Sequence, residues 1–305
     1  MPAYPVCRQA GAKHFALYGS VDMEKMVIIQ NLRKIFNRNT IDEKIAIDGI
    51  GIEVNKGEFI TVIGSNGAGK TTLLNLVAGT YFPDEGKIFI NDLEVTLLAE
   101  YRRAKYLGRI FQNPLMGTAS SMTIGENLSM AELRGRTRGI SWGVTKRQRE
   151  RYRELLKTLE LGLEDRLSDR VSLLSGGQRQ CLTLLMATLS LPKLLLLDEH
   201  TASLDPKTAE KVIHLTDRII RENELTTIMV THNMSQAINF GDRMIMLHEG
   251  KIQFDIQGEE KKRLTVEEVV KRFGEKLEDE TLLCNPVVEL DKGLNAIQNK
   301  GVDKI

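Results

Sequence analysis

One octapeptide restricts this chain more than any other feature. Gly64-Ser65-Asn66-Gly67-Ala68-Gly69-Lys70-Thr71 fits the pattern GxxxxGK[ST]. It follows Phe59-Ile60-Thr61-Val62-Ile63, a β-branched apolar run that predicts a buried strand. After it, Leu73, Leu74, Leu76 and Val77 recur at helical spacing until Gly79. Strand, glycine-rich loop and helix form the context in which such a loop holds phosphate. Glycines let the backbone curl so that successive N–H groups point inward, and the helix start adds its positive end. Lys70 reaches the β- and γ-phosphates, Thr71 offers a hydroxyl to Mg²⁺, and Thr72 follows in the same turn.

A second feature gains its force from the first. Leu194-Leu195-Leu196-Leu197 runs into Asp198-Glu199. An apolar strand ending in two acids delivers both to the carboxyl edge of a sheet. Beside a phosphate loop, Asp198 can hold the Mg²⁺ shell, and Glu199 can orient or deprotonate an attacking water. Short strands are also expected at 27–29, 50–54, 87–91 and 227–230. Helices are expected at 124–133, 147–161 and 181–191. Strands alternating with helices predict a parallel α/β sheet, and the early strands predict an antiparallel addition to it. Between about 113 and 173 helical runs dominate, as in a helical subdomain inserted into the core.

The 305 residues suffice for about two domains or subdomains. Residues 1–25 are interrupted by Pro2, Pro5, Gly11 and Gly19 and read as a flexible extension. Met23 or Met26 could be the true start. The ordered unit is expected over 26–274, with a tail at 275–305. Lys and Arg total 42 against 41 Asp and Glu, so global attraction to nucleic acid is not indicated. Cys7, Cys181 and Cys284 are scattered, which fits a reducing compartment and no zinc cluster. The longest apolar runs are strand-length, far short of a membrane span, and no secretory signal stands at the start. Segment 134–153 carries eight Arg and Lys against Glu150. It reads as a solvated face, or as a contact for anionic lipid headgroups, or as a nucleic-acid patch with Trp142 and Tyr152 interleaved.

Leu174-Ser175-Gly176-Gly177-Gln178 joins the other motifs into an order that resembles the ATP-binding-cassette family. Gln112 after Ile110-Phe111 is similar to that family's glutamine loop, Ser203-Leu204-Asp205 to the loop after its catalytic acid, and His232 to its switch histidine. The resemblance covers about 27–255. Phe36 stands where that family usually has a tyrosine stacked on adenine, although an ordinary edge-strand Phe reads the same way. The chain departs from the frequent family pattern at His200, where many members have Pro, and at Arg179-Gln180-Cys181.

The resemblance implies an α/β fold of the P-loop NTPase type, with a parallel sheet core, an antiparallel β subdomain and an inserted helical subdomain. It implies ATP with Mg²⁺. Glu199, His232, Lys70 and Gln112 would serve catalysis, and Thr71, Gln112 and Asp198 the metal. Phe36, the loop 64–72, Ser175, Gly176, Gly177, Gln178 and Asp205 would hold nucleotide. Two copies would sandwich two ATP molecules at the cytoplasmic face of the cell membrane. A separate integral-membrane permease and a substrate-binding protein would complete the system, with no nucleic acid. Phrases such as Phe111-Gln112-Asn113-Pro114 and Glu199-His200-Thr201 resemble bacterial ATPases for uptake of tryptophan, tyrosine or related amino acids. A soluble cassette of the iron–sulfur-assembly type remains the alternative. A kinase fits poorly, since Ser175-Gly176-Gly177 has no use in one.

Overall fold

The computed structural model describes residues 24–135 and 143–273. The expected extension over 1–25 lies almost wholly outside them, as do Arg136, Arg138, Trp142 and the tail after 274.

The chain opens with β1 (Lys25–Phe36) and β2 (Lys44–Asn55), which pair antiparallel along their length. Both are much longer than the sequence predicts. The polar turn 37–43 joins them, with Asn37 and Asn39 at φ 52° and 60°, a region asparagine tolerates. Next come β3 (Phe59–Ile63), α1 (Lys70–Ala78), β4 (Glu85–Ile90) and β5 (Leu93–Glu94). Ile88 and Ile90 of β4 are buried, as their alternation predicts. The antiparallel sheet has the order β2-β1-β4-β5.

After α2 (Glu100–Arg103) and β6 (Leu107–Ile110), the chain turns helical with α3 (Ile124–Glu132) and α4 (Lys146–Lys157). Capping boxes start both: Thr123 with Glu126, and Thr145 with Gln148. Helix α4 stops four residues before the expected 161. Tyr152 is fully buried in it, donating its hydroxyl to Glu132 at 2.6 Å, so it is no stacking platform for a base. Arg151 also pairs with Glu132, so part of the basic segment is neutralised within the subdomain. Next come α5 (Gly176–Thr188), β7 (Leu194–Asp198), α6 (Pro206–Glu222), β8 (Thr226–Val230) and α7 (Met234–Asn239). The chain continues through β9 (Arg243–His248), β10 (Lys251–Gln257), α8 (Gly258–Lys262) and α9 (Val266–Phe273). A capping box, Thr265 with Glu268, starts α9 as well.

The second sheet has the order β10-β9-β3-β8-β7-β6 and is parallel except for β10. Strands β3, β7 and β8 are buried at every position, as central parallel strands are when both faces are covered. Helix α1 lies between the two sheets: Ile29, Ile50, Leu73, Leu76, Leu194, Ile228 and Ile245 share one core. Helices α5 and α6 cover the opposite face, where Leu184 and Ile213 meet Leu195 and Met229. Arg103, wholly buried, donates to the carbonyls of Leu76, Val77, Thr96 and Leu98 and so ties the end of α1 to α2. Cys181 packs in the helical core, where burial pushes its thiol up to about 11, which fits packing and not redox chemistry.

Candidate functional site

Four neighbouring strands of the parallel sheet end level with one another. Val62 aligns with Val230, Val230 with Asp198, and Leu197 with Ile110. The segments leaving these strands therefore meet at one edge, where open α/β sheets bind ligands. Strand β3 delivers the loop 64–69, β7 delivers Glu199, β8 delivers Thr231 and His232, and β6 delivers Phe111 and Gln112.

The loop is built to be narrow. A Cβ on Gly64, at φ 152°, would stand 2.2 Å from the Leu247 carbonyl oxygen, and one on Gly69, at φ 103°, 2.5 Å from that of Ala46. Only glycine fits this close backbone approach. Lys70 is buried, and its Nζ donates to the carbonyls of Gly64 at 2.7 Å and Ser65 at 3.1 Å. The Thr71 hydroxyl faces Asp198 Oδ1 at 3.4 Å.

Asp198 is buried, and desolvation holds its carboxyl above the ordinary 3.8. Its Oδ2 lies 3.7 Å from the guanidinium of Arg109 on β6. That guanidinium is anchored elsewhere: it donates to Asn75 Oδ1 at 2.7 Å and Thr80 Oγ1 at 3.2 Å, and it stacks 4.6 Å from the Phe111 ring centre. Arg109 thus lends charge to Asp198 while its hydrogen bonds go to the phosphate-loop helix and the residue after it but one.

Glu199 adopts φ 43°, a left-handed conformation that costs a non-glycine residue energy. Its Oε2 lies 3.4 Å from His232 Nδ1. That contact, against burial acting the other way, holds the carboxyl below the ordinary 4.5. Gln236 ties the two loops together, its Oε1 accepting from Thr201 at 3.3 Å and Thr231 at 3.2 Å. His200 points the other way, into the core, 3.1 Å from Thr216 Oγ1.

A cleft of ≈ 370 Å³ opens along this edge. Of the residues singled out in the sequence, Phe36, Asn66, Gly67, Ala68, Gly69, Lys70, Thr71, Thr72, Gln112 and Glu199 line it. Asp198 and His232 stand directly behind, through Thr71 and Glu199. Phe36 meets Tyr81 edge-on with ring centres 5.3 Å apart. Ser175, Gly176, Gly177, Gln178 and Asp205 do not line it. Ser175 caps α5, where its hydroxyl accepts from the Gln178 N–H, and Asp205 caps α6, accepting from the Thr208 N–H at 3.1 Å. The exposed start of α5 stands apart from its own chain's cleft lining, although the nearby Ser203 hydroxyl reaches the Gln112 carbonyl at 3.4 Å.

Sequence reasoning passed over Lys44 and Ala46, which also line the cleft, and Arg109 behind it. The asparagine-rich turn 37–40 was the available signal for Lys44, because a hairpin there brings it opposite Phe36. Nothing local marks Arg109.

The donors fit a small hard cation. A threonine hydroxyl, a buried carboxylate and an amide are all oxygen ligands of the kind Mg²⁺ takes beside substrate phosphates. Among the described residues no group of three or more His, Cys, Asp or Glu forms an all-protein cage.

Comparison with known proteins agrees with this geometry. The chain is 44% identical over 248 residues to the tyrosine transport ATP-binding protein of Clostridioides difficile (strain R20291), covering 81% of this chain and 98% of that protein. It is 34% identical to the methionine import ATP-binding protein MetN of Rhodopseudomonas palustris (strain BisA53), over 73% of this chain and 59% of that longer one. A solved dimeric ATP-binding cassette in a post-hydrolysis state, bound to ADP and Pi, superposes with a TM-score of 0.65 at 29% identity, over 76% of this chain and 98% of that one. The family model described as ABC transporter matches residues 47–202, and with these relatives it shows that the chain belongs to the ABC transporter family of ATP-binding, ATP-hydrolysing cassettes.

Proposed function

We propose that the chain powers uptake of tyrosine or a related amino acid through a separate permease, hydrolysing ATP at sites that two copies of it build together. The observation that carries this is the division of the motifs. Loop, acids, glutamine and histidine converge on one cleft, while Ser175 and Gly176 are exposed at a helix start outside that cleft's lining, with Gly177 buried behind them. A helix start aimed at phosphate has use only if a second chain supplies the nucleotide. The uptake direction and the cargo class rest on the tyrosine transport and methionine import relatives.

We assign roles that this placement supports. Phe36 stacks on adenine, and the backbone N–H groups of 64–72 with Lys70 hold the phosphates. Thr71 and Asp198, with Gln112, hold Mg²⁺, which when bound neutralises charge building on the phosphates. Glu199 accepts the proton of the attacking water. His232 keeps that carboxyl ionised and fixed over the sheet edge. Gln112 lines the cleft and leads into the helices 113–173, which supports a role in passing nucleotide state to a permease. Asp205 starts the helix beside Ser175 and meets the second copy. A substrate-binding protein supplies the cargo on the far side. We also assign the boundaries 26–274 to the cassette and 113–173 to its helical part. The exposed basic residues of α4 face anionic lipid headgroups beside the permease.

The test is uptake. Proteoliposomes holding the permease and this chain should accumulate labelled tyrosine with internal ATP only when the binding protein is outside. Lys70→Ala should stop both uptake and hydrolysis. Uptake that persists without ATP, or outward transport, would overturn the reading.

A further inference from the structure

Three ammonium groups stand around the cleft, and they differ in how their charge is met. Lys34 lies 5.7 Å from the Phe36 ring centre and 3.4 Å from the Asp84 carboxylate, which matches it. Lys70 donates to two carbonyls of its own loop. Lys44 lines the cleft, and among the described residues no carboxylate comes within ion-pair distance of it. Its sequence neighbour Glu43 is committed to the turn, accepting from the Asn39 N–H at 2.7 Å.

The position of Lys44 is set by the backbone. It is the first residue of β2 and is paired directly with Phe36, the last of β1. The hairpin therefore carries an aromatic ring and a cation side by side to the same cleft. The cation reaches across to the phosphate loop: a Cβ on Gly67 would meet Lys44 Nζ at 3.4 Å. Gly67 sits at φ 80° in the middle of the loop, where backbone N–H groups turn inward. Two ammonium groups, a ring of N–H dipoles and the positive end of α1 thus converge, and among the described residues Glu199 is the one acid on the lining. Such an arrangement repels itself until a polyanion enters it.

We propose that Lys44 is a nucleotide-binding residue that makes the cleft selective for the polyphosphate over the nucleoside. This deepens the ATP-site reading above and rests on it. Phe36 and Lys44 act as a pair from the antiparallel sheet, one on the base and one on the phosphates. The parallel sheet supplies the loop and Lys70 from the other side. Lys44 carries the part of the affinity that depends on phosphate charge and salt, and none of the part that depends on the base.

Lys44 is exposed at a strand end, so substitution there spares the core. The full chain and its Lys44→Met, Lys44→Arg and Lys44→Glu variants are titrated with ATP and ADP in EDTA by calorimetry, and with adenosine by saturation-transfer NMR. Lys44→Met should raise the Kd for ATP and ADP about tenfold, an amount typical of one charge-assisted contact, and leave adenosine within about twofold. Lys44→Arg should stay within about threefold of the parent, and Lys44→Glu should weaken ATP further than Lys44→Met. The dependence of ATP affinity on salt should become shallower in Lys44→Met. Unchanged ATP affinity in Lys44→Met, or equal weakening of ATP and adenosine, would overturn the proposal while leaving the ATP site intact. A parent chain that binds no ATP would overturn the reading beneath it.

Discussion

Glu199 and His232 lie 33 positions apart in sequence, and Glu199 Oε2 stands 3.4 Å from His232 Nδ1. The register of two strands brings them together: Asp198 is level with Val230, and each residue follows its strand by one or two places. Removing the imidazole takes away the main influence that keeps the Glu199 carboxyl below its ordinary range. His232→Ala should lower kcat about a hundredfold or more, within the span that positioned acid–base groups supply. With that contact gone the carboxyl titrates higher, so the acid limb of the kcat profile should move to higher pH. The binding of ATP in EDTA should not change. A full pH–rate profile of parent and variant checks both parts.

Among the described residues Phe36 is the one aromatic on the cleft lining, and Tyr81 meets it edge-on. Phe36→Ala should weaken ATP and adenosine alike, by about tenfold, since stacking of a base on an aromatic ring is worth about 1–3 kcal/mol. Phe36→Tyr should bind like the parent. The equal loss on both ligands is what separates this residue from Lys44.

Arg109 anchors three elements around Asp198. Arg109→Met would leave the Asn75 amide oxygen without its donor and a buried carboxylate without its cation. It should cost about 3 kcal/mol of folding stability, the lower end for breaking a buried pair. Asn75→Ala, which removes one neutral-to-charged contact, should cost about 1–2 kcal/mol. Urea unfolding of the two variants and the parent gives both values.

His200 predicts a dependence of stability on pH. The Thr216 hydroxyl spends its proton on the Val212 carbonyl at 2.8 Å, so it accepts from His200, whose Nε2 carries the hydrogen of a neutral ring. Burial pushes His200 down to about 4 from 6.5. Above 6.5 the ring is neutral folded and unfolded, and its contribution is fully present. Between 6.5 and about 4 only the unfolded chain takes up the proton, so stability is lost as pH falls through that window. The loss amounts to about 3 kcal/mol by about pH 4. His200→Asn should flatten the slope of unfolding free energy over that range, measured by urea titration at each pH.

Much of this site was legible because its chemistry is local. The loop 64–71, the acids after 194–197 and the segment 174–178 each declare themselves within a few residues, since tight turns, strand ends and helix caps are set by short-range geometry. The central strands were also legible, as burial on both faces makes them uniformly apolar. The features that escaped depend on pairing across the fold. Strand β1 looks broken at Gln30-Asn31 because a bulge there, with Asn31 at φ 46°, interrupts the alternation that marks a strand. Lys44 joins the site only through a hairpin register, and Arg109 only because β6 lies next to β7. Tyr152 reads as an exposed aromatic among arginines until α4 is seen packing it inward on Glu132.

The claim that two copies build each ATP site is tested most directly by Glu199→Gln, which keeps the shape of the carboxylate but cannot accept the water's proton. ATP should bind and persist, its γ-phosphate held by Lys70 of one copy and Ser175 of the other. Size-exclusion chromatography with light scattering should show a monomer without nucleotide and a dimer with ATP. Adding Ser175→Arg, which sets a bulky cation at the helix start, should return it to a monomer. A Glu199→Gln chain that stays monomeric with ATP yet hydrolyses it at the parental rate, or a dimer that Ser175→Arg leaves intact, would contradict the account.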